Sequence, residues 1–152
     1  MDQATLGNLL IGTRDYFLSQ LAGLSEEQIV AVPDKIGHNI LWNVGHVVHS
    51  LYGMTYVPSG LEYPAPAEYK DMFKGGTSPS TWSTQPNVGE VMEHLKNSAK
   101  KVSSDLQAGK FSGFKELDLG QIKFNTIEQT LAFHLYHEGS HMGMCMEIKK
   151  LV

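Results

Sequence analysis

The stretch from Asn125 to Val152, NTIEQTLAFHLYHEGSHMGMCMEIKKLV, reads as one long helix, capped by Asn125 or Thr126 with Glu128 or Gln129 as the matching third residue. At about 100° per residue, His134, His137 and His141 fall within one narrow stripe of it. Ile127, Thr130, Met144, Cys145 and Ile148 lie within roughly 60° of His141 on the same wheel. The three imidazoles therefore point where an amphipathic helix turns its apolar side, which is inward. Residues at i and i+4 stand about 5 to 6 Å apart at Cβ, so His137 and His141 can clamp a metal ion between them. A helix built this way needs neighbours to cover that face.

Three earlier segments can supply them. From about Ala4 to Leu21, Leu6, Leu9, Leu10, Thr13, Phe17 and Leu21 recur at three- and four-residue spacing, with Arg14 and Asp15 expected off that stripe. Gly23 closes this first helix, and LSEEQIVAVPDKIGHN, with Pro33 and Gly37, reads as a connector. Asn39 caps a second helix, Ile40 to about Tyr56, with an apolar stripe of Ile40, Val44, Val47, Leu51 and Met54. His46 sits off that stripe, among Asn39, Trp42, Asn43, Ser50 and Gly53, on a face that is polar but small and uncharged. A solvated face normally carries Lys, Glu or Arg, and this helix has none. The Asn43, His46, Ser50 side therefore reads as the lining of a polar cleft, with His49 at its edge. Asn87, with Glu90 as a capping box, opens a third helix whose core side is Val88, Val91, Met92, Leu95, Ala99, Val102 and Leu106.

Between the second and third helices, residues 57–86 are dense in Pro, Gly, Ser and Thr and studded with aromatics, which marks a long crossover with a short helix near Ala67 to Phe73. Leu117, Leu119, Ile122 and Phe124 around Gly120 alternate as in a small hairpin or an extended connector. Four amphipathic helices with one long crossover predict an all-α four-helix bundle, in a single domain over residues 1–152. Such bundles build metal and cofactor sites from facing helices.

Composition removes several classes of function. The formal net charge is −4 and the twelve basic residues are scattered, so there is no electrostatic footprint for nucleic acid. A single cysteine, Cys145, excludes an internal disulfide, and the N-terminus lacks the pattern of a signal peptide. The expected location is a reducing cytoplasm. No apolar run approaches the roughly 20 residues of a membrane span. No nucleophilic triad, phosphate loop or carboxylate pair competes with the histidines.

A catalytic zinc site offers three protein ligands and leaves a position for water, and imidazole suits both zinc and nickel. His46, His137 and His141 can supply such a set. If the second and fourth helices run antiparallel, His49 drops about 4.5 Å from His46 to the level of His134, and a second triad, His49, His134 and His137, becomes available. Each residue also has a plainer reading. His137 and His141 could be hydrogen-bonded core histidines, although burying several uncompensated rings costs about 1 to 3 kcal/mol each. His49 and His134 fit supporting or structural roles, and His38 and His94 fit the surface. Cys145 reads as a small buried hydrophobe. Glu138, about 100° from His137, is either a cleft-edge acid or base or a solvated charge.

GHNILWNVGHVVHS, followed much later by LYHEGSHMGM, resembles the DinB superfamily of bacterial four-helix bundles. The shared features are a capping Asn, an aliphatic residue and Trp before a Gly-His pair, and then HxxxHxG near the C-terminus. The resemblance spans the chain in helix order and includes the long connector. It implies an up-down-down-up bundle that often dimerises, with His46, His137, His141 and water around a divalent metal. It also implies a choice of the first triad over the second. Some relatives are metal-dependent transferases or isomerases using a low-molecular-weight thiol, which would act on a small-molecule substrate. Met142 and Met144 stand where relatives tend to carry Arg and Gln, so a shared polar substrate contact does not carry over. Two functions follow: a metal-dependent enzyme of thiol-transferase type, or a metal- or ligand-binding bundle without turnover in a structural or stress-response role.

Overall fold

The computed structural model describes all residues from Met1 to Val152. It is an all-α protein with four long helices, two short ones and a minimal hairpin. In chain order the helices are α1 (Gln3–Leu21), α2 (Glu26–Val30), α3 (Ile40–Thr55), α4 (Tyr69–Met72), α5 (Val88–Gln107) and α6 (Ile127–Lys149). The caps show why the long helices start where they do. Asp2, Asn39, Asn87 and Thr126 each accept a hydrogen bond from the backbone N–H three residues on, satisfying one of the free donors at a helix start. Asn87 works as a simple cap, accepting from Glu90 N at 3.0 Å, rather than as half of a reciprocal box.

α1 packs on α5 and α6, and α3 packs on the same two helices from the other side. Leu6, Leu10 and Phe17 of α1, Val44, Val47 and Leu51 of α3, Leu95 and Val102 of α5, and Leu131 and Ile148 of α6 share one core. α3 is buried almost all round, including Trp42, Asn43 and Gly45 on its polar face. The crossover, residues 57–86, is what covers that second face, with α4 against α3 and Phe73 fully buried. No helix is long and apolar enough to cross a membrane.

The structure corrects further expectations, among them Leu9 of the first apolar stripe, which is exposed. The connector after Gly23 contains α2, where Ser25 and Gln28 form a reciprocal capping box; a five-residue helix is too short to show a periodic stripe. Arg14, read as lying off the apolar stripe, is 1 % exposed. Its position, four after Leu10 and three before Phe17, is on the buried face. Met144, placed on the inward side of α6, is 44 % exposed. The segment around Gly120 is a hairpin of β1 (Leu117–Asp118) and β2 (Lys123–Phe124), pairing Leu117 with Phe124.

Candidate metal centre

α3 and α6 bring His46, His137 and His141 together, with one nitrogen from each ring lying within 4.8 Å of the other two. His46 Nε2 and His137 Nε2 are 3.2 Å apart. The ring centroids of His46 and His137 lie 5.1 Å from each other and 4.7 and 4.6 Å, respectively, from that of His141. The alternative set is not assembled. His49 instead shares a 3.0 Å hydrogen bond between its Nδ1 and the Tyr63 hydroxyl, and His134 lies in the core beside Glu138.

Hydrogen bonds behind the rings decide which nitrogens face inward. His46 Nδ1 is 2.6 Å from the Phe73 carbonyl oxygen. A carbonyl can only accept, so Nδ1 carries the proton and Nε2 holds the lone pair. The Ser50 hydroxyl, 3.3 Å away, donates to that same Nε2. His141 Nδ1 is 2.8 Å from Asn43 Oδ1. The amide orientation is fixed independently, because Asn43 Nδ2 donates to the Asn39 carbonyl at 2.9 Å, which leaves Oδ1 to accept from His141. Its Nε2 is therefore also a lone pair. His137 Nδ1 is buried without a hydrogen-bond partner. Trp42 stacks on His46 with centroids 4.8 Å apart and planes 8° from parallel.

Burial lowers the basicity of all three rings. It pushes His137 down to about 3, helped by His134 and its two cluster neighbours, and pushes His141 down to about 4, helped by His46. It also lowers His46, against the opposing pull of the Phe73 carbonyl. At neutral pH the three rings are neutral, the protonation state a metal requires of imidazole.

Glu138 is neither at a cleft edge nor solvated. It is 2 % exposed and forms a two-pronged ion pair with Arg14, with Nε to Oε1 at 2.8 Å and Nη2 to Oε2 at 3.0 Å. Arg14 Nη1 also donates to the Ser98 hydroxyl at 2.5 Å and to the Leu95 carbonyl. Burial alone would raise the Glu138 carboxyl, but Arg14 and His134 outweigh it and hold it at about 2. His134 Nε2 stands 3.5 Å from Glu138 Oε2, and neither His134 nitrogen has a hydrogen-bond partner. Its burial lowers its pKa. His38 is half-buried rather than at the surface, with its ring 4.4 Å from Trp42. His94 is half-buried against Tyr69, 5.3 Å between centroids. Cys145 is fully buried and its thiol is pushed up to about 12.

The residues present fit a divalent metal. Two ligands at 2.0 to 2.1 Å from a tetrahedral ion stand about 3.3 Å apart, close to the His46 to His137 spacing of 3.2 Å. Two of the three rings already donate their remote N–H to an oxygen, the support that metal-binding histidines normally have. Phe73 and Arg14 were missed by sequence reading. A backbone carbonyl has no signature in sequence, whereas the helical spacing of Arg14 from Leu10 and Phe17 was available.

No curated protein matches this chain. The family model described as the DinB superfamily matches residues 9–145, which takes in the Gly45-His46 pair on α3 and both His137 and His141 on α6. With that match running over most of its length, the chain belongs to the DinB superfamily.

Proposed function

We propose that the protein holds one divalent metal ion, zinc or nickel, through His46, His137 and His141, and that it is a metal-dependent enzyme of thiol-transferase type. The observation that carries the metal reading is the convergence of three neutral imidazoles within 4.8 Å, two with their tautomer set by an acceptor behind the ring. A bound ion there supplies a Lewis acid that lowers the pKa of a thiol or water. The chain's own contribution is to keep the rings neutral, orient them and partly cover them with Trp42. The thiol and a small-molecule substrate come from the family resemblance.

In the same reading the fold is an up-down-down-up four-helix bundle in one domain. Contacts that climb in step support it. Gln3, Arg14 and Gln20 of α1 meet Glu128, Glu138 and Lys149 of α6 in ascending order. Asn43 and His46 of α3 meet His141 and His137 in descending order. A reducing cytoplasm and a homodimer complete the proposal; light scattering at micromolar concentration tests the dimer, which a monomer mass contradicts.

A second reading, metal or ligand binding without turnover, has an observation in its favour. A groove of about 550 Å³ between the crossover and the start of α5, walled by Tyr69, Met72, Trp82 and Glu90, includes none of the three histidines. α3 and α6 also carry no Lys or Arg from Ile40 to Thr55 or from Ile127 to Ile148 to hold an anionic substrate. The deciding experiment is metal analysis of untagged protein followed by thiol conjugation across an electrophile panel. One equivalent of metal with metal-dependent conjugation supports the enzyme. Metal uptake with no conjugation supports the second reading. Failure to take up stoichiometric metal at neutral pH sinks the enzyme and the metal site, and leaves ligand binding alone of the second reading.

A further inference from the structure

The carbonyl that holds His46 belongs to the crossover, and its close approach to α3 depends on the absence of a side chain at residue 45. A Cβ built on Gly45 would overlap Cδ1, Cε1 and Cζ of the Phe73 ring, far inside the ordinary contact range of 3.4–4 Å. The ring has little room to yield. Phe73 is fully buried and meets Tyr69 and Trp82 edge-on, with centroids 5.0 and 5.7 Å away. The chain on either side is tied down as well. The Trp82 indole donates to the Met72 carbonyl at 3.0 Å, and the Trp42 indole donates to the Thr77 hydroxyl at 2.9 Å. Glycine within a helix is unfavourable relative to alanine, so its presence at 45 calls for a local cause. Gly53, two turns further along α3, shows the contrast: a Cβ there would meet nothing within 4 Å.

We propose that Gly45 and Phe73 form a positioning pair for His46, in which the bare helix surface at 45 seats the Phe73 ring and the seated ring aims the Phe73 carbonyl at His46 Nδ1. This deepens the metal reading above and rests on it. With Nδ1–H engaged by the carbonyl, Nε2 is the lone pair facing His137, and an acceptor on the remote nitrogen strengthens the donor nitrogen of a ligand imidazole. Moving the ring away breaks that hydrogen bond, lets His46 take either tautomer, and weakens the site with no ligand altered. By linkage, seating of the crossover and ion affinity then favour each other.

The test compares full-length wild type with Gly45→Ala, Gly45→Ala/Phe73→Ala and Gly53→Ala. Zinc affinity is measured by competition with a chromophoric chelator, and the His46 tautomer by ¹⁵N imidazole NMR on zinc-free protein. Gly45→Ala is expected to weaken zinc binding by about 10- to 100-fold, the usual effect of losing a group behind a ligand, and to remove the Nδ1–H signature of His46. The double variant, with the clashing ring atoms gone, is expected to bind more tightly than Gly45→Ala. Gly53→Ala is expected to bind like wild type. Wild-type affinity with an unchanged tautomer in Gly45→Ala overturns the proposal, as does an equal loss in Gly53→Ala. If wild type takes up no zinc, the metal reading fails by itself, and NMR on zinc-free protein still decides the positioning pair. If Gly45→Ala does not fold, the wild-type spectrum decides. A His46 Nδ1–H coupled to the Phe73 carbonyl supports the pair, and an Nε2–H tautomer overturns it.

Discussion

Arg14 of α1 and Glu138 of α6 form a two-pronged ion pair in the core, with 1 % and 2 % of their side chains exposed. Its place in the sequence ties it to the candidate metal centre. Glu138 directly follows His137, so the pair fixes the rotation of α6 at the turn that carries the candidate ligands. Removing one partner of a buried pair strands the other charge and costs about 3 to 5 kcal/mol. Glu138→Leu and Arg14→Met are each expected to destabilise the protein by that order in urea unfolding. The double variant Arg14→Met/Glu138→Leu is expected to recover a large part, because no buried charge is left unpaired. Additive losses in the two variants would contradict the pairing.

The pH dependence has a defined sign. In the folded metal-free protein, burial holds His137 at about 3 and His141 at about 4, whereas an unfolded chain titrates histidine near about 6.5. Above about 6.5 both states leave these rings neutral and their contribution to stability is fully present. As pH falls from there towards about 4, the unfolded chain takes up protons that the folded one refuses, so stability drops. Glu138 acts in the same direction at lower pH, its contribution disappearing as the pH approaches about 2. Thermal scans in chelator are expected to show Tm falling once pH drops below about 6.5. Added zinc should raise Tm but leave the onset of the fall near about 6.5, which the unfolded chain sets. A flat Tm between 6.5 and 4 would contradict the burial of these rings.

Cys145 tests the packing of α6 independently. Fully buried, with its thiol raised to about 12, it carries almost no thiolate at neutral pH, and the thiolate is the nucleophile. Native protein is expected to resist iodoacetamide at pH 7.5 and to gain one adduct by intact mass after unfolding in guanidinium. Rapid modification of native protein would contradict the burial.

Sequence alone made the long helices legible because each has an apolar stripe several turns long, and the last three also a capping residue with its partner three positions on. Asn39 with Trp42 and Thr126 with Gln129 are such starts. Short or unpaired signals escaped. α2 has a capping box but only five residues. The spacing of Arg14 from Leu10 and Phe17 marks the buried face, but Glu138, which reads as a cleft-edge acid or base or as a solvated charge, gives no sign of a buried partner. The two charges lie 124 residues apart in sequence, and a charge pair of that separation becomes visible only once α1 and α6 are side by side. The neighbourhood of His137 and His141 followed from i, i+4 spacing, and the missing charge on α3 pointed to its covered polar face. The Phe73 contact with His46 had no sequence trace, because the interacting group is a main-chain oxygen and the space it needs is the absence of a side chain at Gly45.

The last prediction separates the residues that touch an ion from those that only lie near it. His46 and His141 have their remote nitrogens on Phe73 and Asn43, so their other nitrogens face the cluster. His49 is turned to Tyr63, and His134 is enclosed beside Glu138 with no exposed surface. Alanine at His46, His137 or His141 is expected to weaken zinc binding by more than the roughly 10- to 100-fold that loss of a supporting group costs, while stability without zinc changes little or rises. Asn43→Ala is expected to fall within that supporting range. His49→Ala should leave affinity close to wild type. His134→Ala should leave zinc stoichiometry at one per chain yet lower stability by about 2 kcal/mol or more, because it opens a cavity in the core. Isothermal titration together with thermal scans in chelator reads both quantities. Loss of binding in His49→Ala and His134→Ala, with retention in His46→Ala and His141→Ala, would move the site one turn along the bundle and overturn the ligand assignment.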